Sequence, residues 1–356
     1  QIIPRGLCLY NPERNRMKHA LLFAPHPNAR YDAELKRLCA KELACIAAAA
    51  GIAAPFSIET VGGLPLFTVE AELSDRQKAA LLRASSLLAL FTLAGGSLTP
   101  RMEGFSKSAF YDMPAILKYK GKTNETFTRF LLNLAVFARK SGDFDHKLTV
   151  LDPLCGKGTT LFCALSAGYH ALGVELDEKE VTEGVNFVKA YLRNGRFKHD
   201  YEKSSATVKG KPAGDIHAFE TAESAERFKA GDTQFLKFAR GDSGNAPHFF
   251  KRTPADVVVA DLPYGVQHKN DVSKKGADTL AMLHRLLPRW KDAMKPGGAV
   301  ALSFNSYTLK KKDVLLALEK AGFAPVEEDW ADGLSHWVEQ AVMRDVAVAT
   351  LPVQPV

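Results

Sequence analysis

From Leu148 onward the sequence alternates short apolar runs with stretches of helical periodicity, and this alternation limits the fold more than any other feature. The runs Leu148–Leu151, Ala171–Leu176, Phe235–Ala239, Val257–Ala260 and Ala299–Ser303 are four to six residues long. They are too short for helices and too uniformly apolar for half-exposed strands, so they read as strands covered on both faces. The chain between them is long enough for crossover helices. Such an order predicts an α/β fold with a doubly wound, mostly parallel sheet. Val338–Leu351 reads as a last long strand, antiparallel to Ala324–Trp330. Between Asn194 and Ala230 the pattern weakens into Lys, Gly, Ser and Glu, which is expected to be an insertion or a mobile loop.

A chain of 356 residues exceeds one ordinary core, so a second unit is expected ahead of this sheet. Lys18–Pro25 reads as a strand and Tyr31–Ala50 as a helix. Phe56–Glu59 and Pro65–Glu72 read as a hairpin about Gly62-Gly63, Asp75–Ser86 as a helix and Leu87–Leu93 as a strand. This order predicts a small α/β domain of ferredoxin-like type over residues 1–96. Residues 97–121 then read as a linker and 122–356 as the second domain, opening with an amphipathic helix over Lys122–Lys140.

Composition excludes several classes. With 46% apolar and 24% charged residues the chain is neither disordered nor fibrous. The longest apolar stretches, Leu43–Ile58 and Ala84–Pro100, are broken by Gly, Pro or Ser, so no membrane span and no signal peptide are expected. Five cysteines without a C-x-x-C pair suggest reduced, buried thiols, hence a cytoplasmic chain. The ten histidines show no ligand spacing, so no metal is expected. Residues 1–130 hold 17 basic and 11 acidic side chains, against 30 and 29 in the remainder. The surplus of positive charge therefore sits almost wholly in the first part, which permits an anionic partner such as nucleic acid.

Four segments carry chemistry. Asp152-Pro153-Leu154-Cys155-Gly156-Lys157-Gly158-Thr159-Thr160 follows a strand and opens a helix. Its glycines allow close backbone approach, and the helix end offers free N–H groups. It fits neither the phosphate-loop pattern nor G-x-G-x-x-G, because Leu161 stands where the third Gly would be. Glu175 lies 23 residues after Asp152 at the next strand end, where an acid can accept from ribose hydroxyls. Gly241-Asp242 follows Phe235–Ala239 and could meet an adenine amino group; Gly231-Asp232 is a rival with the same dipeptide. Asp261-Leu262-Pro263-Tyr264-Gly265 ends a strand with two potential oxygen acceptors, a stiff proline and an aromatic face.

In this order and spacing the four segments resemble the class I methyltransferases that use S-adenosylmethionine. DPLCGKGTT and DLPYG together resemble the branch acting on exocyclic amino nitrogens, most closely the RNA guanosine-N2 methyltransferases related to THUMP-linked enzymes. The resemblance covers about residues 113–350. It implies a Rossmann-like sheet and S-adenosyl-L-methionine as cofactor. It implies cofactor contacts from Asp152, Cys155, Gly156, Gly158, Thr159, Glu175 and Asp242, with Thr123 of the segment Lys122-Thr123-Asn124 beside them. Asp261 and the Leu262 carbonyl would accept the target amine hydrogens, Pro263 would stiffen that turn, and Tyr264 would stack on the base. The implied partner is RNA, either tRNA or rRNA. DNA adenine and cytosine N-methyltransferases and enzymes of protein glutamine amides share the motifs, and a cofactor-binding RNA module without turnover is a further alternative. Leu262 stands where many relatives have Pro, and the first 110 residues carry no THUMP signature.

Overall fold

The computed structural model describes residues 17–25, 29–103, 105, 107–119, 121–139, 141, 143–263 and 272–353. The N-terminal unit runs β1 (Lys18–Phe23), α1 (Ala29–Ala50), β2 (Ser57–Val61), β3 (Leu64–Glu70), α2 (Asp75–Leu81), β4 (Leu87–Ala94) and β5 (Ser97–Pro100). Its strands lie in the order β2-β3-β1-β4-β5, every pair antiparallel. Two details differ from the sequence reading. The helix expected to reach Ser86 stops at Leu81, and the turns after it bring the Ser85 amide onto the buried Glu42 carboxylate. The stretch read as a linker starts with β5, which adds an edge strand to β4.

Two helices follow, α3 (Met113–Ile116) and α4 (Glu125–Ala138). Helix α4 starts three residues later than its apolar pattern because Asn124 caps it, its side chain accepting from the amides of Thr126 and Phe127. The second unit then runs β6 (Thr149–Asp152), α5 (Thr159–Ser166), β7 (His170–Glu175), α6 (Glu178–Asn194), β8 (His199–Val208), β9 (Lys211–Thr221), α7 (Ala225–Lys229), β10 (Gln234–Arg240), α8 (Ala246–Phe249) and β11 (Ala255–Asp261). It ends with α9 (Val272–Asp292), β12 (Met294–Asn305), α10 (Lys311–Lys320), β13 (Ala324–Pro325), β14 (His336–Glu339) and β15 (Val342–Thr350).

These strands form one sheet in the order β13-β15-β12-β11-β6-β7-β10-β9-β8, with β14 paired to β15. The five central strands, β12 to β10, are parallel. The segment read as an insertion or mobile loop is a regular hairpin: β9 pairs antiparallel with β10 and β8 with β9. Its polar composition suits an edge ribbon that is exposed along most of its length. Most of the last apolar run forms β15, antiparallel to β13 as expected, while its first residues, Val338 and Glu339, belong to β14, which folds back on β15.

Alternate residues of the central strands enter two cores. Val257 and Val259 face α4 and α5, while Val258 and Ala260 face α9 and α10. The first core is continuous with Leu21, Leu38 and Ile46 of the N-terminal unit. Among the described residues no helix is long and apolar enough to cross a membrane, and no group of His, Cys, Asp and Glu could hold a metal ion.

Candidate active site

The parallel strands end together on one edge. Asp152, Glu175 and Asp261 are the last residues of β6, β7 and β11. The chain order reverses between β6 and β11, since β7 follows β6 on one side and β11 returns on the other. A crevice must open at such a reversal. A cleft of about 320 Å³ lies there, lined by Thr123, Asp152, Cys155, Gly156, Thr159, Asp261, Leu262 and Pro263. Eight of the twelve residues singled out in the sequence therefore share one cavity.

Asp152 is 3% exposed. Burial, together with the nearby charges of Asp261 and Glu175, pushes its carboxyl up to about 7, against hydrogen bonds from Thr160 and the Leu154 amide that favour the charged form. Glu175 accepts from the amides of Gly156 at 3.0 Å, Leu176 at 2.7 Å and Asp177 at 2.9 Å. It thereby ties the glycine turn to the strand edge. Gly156 holds a left-handed φ of 50° on the cleft wall. Gly158 does not line the cleft. A Cβ there would lie 2.7 Å from the Phe238 ring and 3.0 Å from that of Phe162, so its glycine serves packing under the turn. Burial pushes the Cys155 thiol well above its ordinary value, which keeps it protonated.

Thr123 and Arg344 both hold Asp261. The Thr123 hydroxyl donates to Oδ2 at 2.5 Å, and the Arg344 guanidinium stands 3.7 Å from the same atom. Thr123 thus meets the carboxylate at the end of β11. The Leu262 amide donates to the Ser303 carbonyl at 2.8 Å, which locks the turn after β11 onto β12. Tyr264 lies outside the described residues. Asp242 follows β10 on the same edge but not on the cleft wall; it accepts from the Gly244 amide at 2.7 Å and pairs with Arg285 at 3.1 Å. Its rival Asp232 precedes β10, at the opposite edge, where it pairs with Lys147 and Arg227. The chain direction alone removes Asp232 from this site.

Three residues of the site escaped the sequence reading. Tyr119 lines the cleft and shares a hydrogen bond with the Thr159 hydroxyl at 3.1 Å. Glu180, in the first turn of α6, adds a third acid to the cleft wall. Arg344 is a nearly buried cation on β15, its guanidinium 4.3 Å from the centre of the Phe127 ring. Its signal was present as a charged pair, Arg344-Asp345, inside an otherwise apolar strand.

No family model matches the chain, and no curated protein sequence matches it. Among solved structures it is similar to TrmN from Thermus thermophilus, with 19% identity over 92% of this chain and 70% of that one and a TM-score of 0.40. It is also similar to a S-adenosylmethionine-dependent methyltransferase from Clostridium acetobutylicum, with 12% identity over 68% and 96% of the two chains and a TM-score of 0.36. A methyltransferase from Pyrococcus furiosus shows 14% identity over 67% and 89%, with a TM-score of 0.35.

Proposed function

We propose that the protein is an S-adenosyl-L-methionine-dependent methyltransferase acting on an exocyclic amino nitrogen of a base in RNA, the N2 of guanosine in tRNA or rRNA. The observation that carries this reading is that the DPLCGKGTT turn and the DLP turn, 100 residues apart, share one acid-lined cleft at the strand reversal. Three carboxylates, Asp152, Glu180 and Asp261, face this space. Asp152 is held toward its neutral form by burial and by its acidic neighbours. A cationic ligand relieves that crowding, so the donor set fits a sulfonium with a free amino group. Asp152, Gly156 and Thr159 would hold its amino-acid end, and Glu175, just behind the turn, its ribose. Asp242 would reach the adenine on releasing Arg285.

S-adenosylmethionine supplies, when bound, a methyl group on a positively charged sulfur. The target amine is a poor nucleophile because its lone pair is delocalised into the ring. Asp261 and the Leu262 carbonyl accept its hydrogens, which turns the lone pair out of the ring system. Thr123 and Arg344 set the plane of the Asp261 carboxylate before substrate arrives. Such prior alignment is worth about 7–11 kcal/mol in favourable cases, and stabilisation of developing charge adds to it. The N-terminal unit, with its β-α-β-β-α-β order, reads as a ferredoxin-like module over residues 1–96 that, together with the connection after it, docks the RNA by the basic surplus of residues 1–130, ahead of a catalytic domain over 122–356.

Incubation with labelled cofactor and total RNA, genomic DNA or protein tests this reading. Label in RNA that co-migrates with N2-methylguanosine after nuclease digestion is the expected result; label confined to DNA or protein refutes it. Asp261→Ala is expected to lower turnover about a hundred- to a thousandfold, the scale of one lost electrostatic anchor, while cofactor binding by calorimetry is retained. A near-normal rate removes Asp261 from the chemistry.

A further inference from the structure

On the side of Asp261 away from the glycine turn the sheet continues into β12, whose Ser303 is the register partner of Asp261. Two residues on, Asn305 is 3% exposed and locks the turn that ends the strand. Its Oδ1 accepts from the amides of Tyr307 at 3.2 Å and Met343 at 3.3 Å, and its Nδ2 donates to the Ala341 carbonyl at 3.0 Å. Its own carbonyl accepts from the Thr308 and Leu309 amides, both at 3.0 Å. Helix α9 packs directly on this turn, since a Cβ on Gly276 would lie 2.0 Å from the Thr308 carbonyl oxygen. On that fixed backbone Tyr307 is 53% exposed. Among the described residues nothing stacks on its ring or bonds its hydroxyl. The run Lys310-Lys311-Lys312 follows. Lys311 turns back, donating to the Ala331 carbonyl at 2.6 Å with Asp332 at 3.7 Å. Lys310 and Lys312 are exposed, and no carboxylate among the described residues pairs with either. Both sit where α10 begins, so the helix dipole adds to their positive charge instead of opposing it.

A free aromatic face and two cations without counter-charge thus stand together at the catalytic edge. An anion lowers the energy of the two ammonium groups, and a planar group covers the ring. A nucleotide of a single strand supplies both, as phosphate and base. An acidic peptide supplies only the charge, and a base paired in a duplex keeps its faces stacked on its neighbours. The relation to Asp261 follows from the sheet. A strand spacing of about 4.8 Å and two residues of rise put the Asn305 Cα about 8 Å from that of Asp261, and two further residues add at most about 7 Å to reach Tyr307. Arg344 bears this out independently: it is the register partner of Asn305, and its guanidinium stands 3.7 Å from Asp261. The residues assigned to the cofactor, at the ends of β6, β7 and β10, all lie on the other side of Asp261 in the sheet. A target base that meets Asp261 with the cofactor on that side leaves the end of β12 for the chain it belongs to.

We infer that the end of β12 carries the RNA strand flanking the methylated nucleotide, with an unpaired base stacked on Tyr307 and phosphates on Lys310 and Lys312. Its place beside the reacting base rests on the methyltransferase reading; the binding itself does not. Fluorescence anisotropy with a labelled single-stranded RNA 12-mer, at a series of salt concentrations, tests it on the full chain. All the substitutions alter exposed side chains, and thermal melting checks that the variants fold. Tyr307→Ala is expected to weaken binding about tenfold with the slope of log K against log salt unchanged, and Tyr307→Phe to restore it, as stacking without the hydroxyl does. Lys310→Ala and Lys312→Ala together are expected to lessen that slope by about 1.4, the share of two phosphates on a single strand. Lys229→Ala, which alters an exposed lysine ahead of β10 at the opposite edge, is expected to leave affinity and slope as in the wild type. Unaltered affinity and slope in the folded Tyr307 and lysine variants overturn the inference. So do an equal loss in Lys229→Ala, a Tyr307→Phe variant as weak as Tyr307→Ala, absence of RNA binding by the wild type, and equal variant sensitivity with duplex DNA. Methyl transfer to total RNA by the variants with the wild-type KM for RNA refutes the surface and leaves the activity standing. Variant-sensitive RNA binding without transfer refutes the activity and leaves the surface.

Discussion

Glu42 on α1 is 0% exposed, yet it carries an ionisable carboxyl at the seam between the two units. Oε1 accepts from the Ser85 amide at 3.0 Å and the Asn133 side chain at 2.7 Å, and Oε2 accepts from the Ser85 hydroxyl at 2.8 Å. Burial outweighs these three donors and pushes the group up from 4.5 to about 7. The folded chain therefore holds a proton here between pH 4.5 and about 7 that the unfolded chain has released, so stability falls as pH rises through that window. A shift of roughly 2.5 units at 1.36 kcal/mol each makes the loss about 3 kcal/mol. Glu42→Gln removes the ionisation and keeps the network, because a reoriented Ser85 hydroxyl can accept from the new amide. Urea unfolding followed by circular dichroism should show the variant near wild-type stability at about pH 5 and more stable by about 2–3 kcal/mol at about pH 8. Asp152, also raised to about 7, keeps its own slope of the same sign in both proteins. The difference between the two pH profiles thus isolates Glu42. An equal stability difference at both pH values refutes the reasoning, since it means the carboxyl was charged, or neutral, throughout.

The same logic at Asp152 predicts that affinity for S-adenosylmethionine rises as pH approaches about 7 and levels off above it, because a cation in the cleft holds the carboxylate ionised. Calorimetry in two buffers of different ionisation enthalpy should detect the released proton at about pH 6, and Asp152→Asn should abolish it. Thr123→Val removes the donor to Asp261 and is expected to lower kcat about 10- to 100-fold, as loss of a hydrogen bond to a charged group does. Thr123→Ser should restore most of the rate with KM for the cofactor unchanged, a split that general unfolding would not produce. Gly158→Ala sets a Cβ 2.7 Å from the Phe238 ring at a φ of 102°, and is expected to cost about 3 kcal/mol in a denaturant melt.

The parts of the fold legible in the sequence are those set by local pattern. Buried parallel strands such as Val257–Ala260 declare themselves because both faces need apolar residues, and the acids at their ends fall on one edge as soon as the strands are parallel. The β8–β9 hairpin was missed for the converse reason. An edge ribbon exposed to water carries Lys, Glu and Ser, which read as loop, and its regularity comes from pairing with β10 rather than from its own composition. The site divides along the same line. Strand direction puts Asp242, and not Asp232, on the edge where Asp152, Glu175 and Asp261 lie, although the dipeptides are identical and only the side of β10 on which each lies differs. The partners of Asp261 are of another kind: Thr123 is 138 residues away in the chain, and Arg344 lies on a strand that joins the sheet last. No periodicity links these positions. A hydroxyl before a helix reads as an ordinary cap until the sheet closes and sets it against the carboxylate. What the local pattern provides is an acid at a strand end; what makes that acid a directed acceptor is long-range packing.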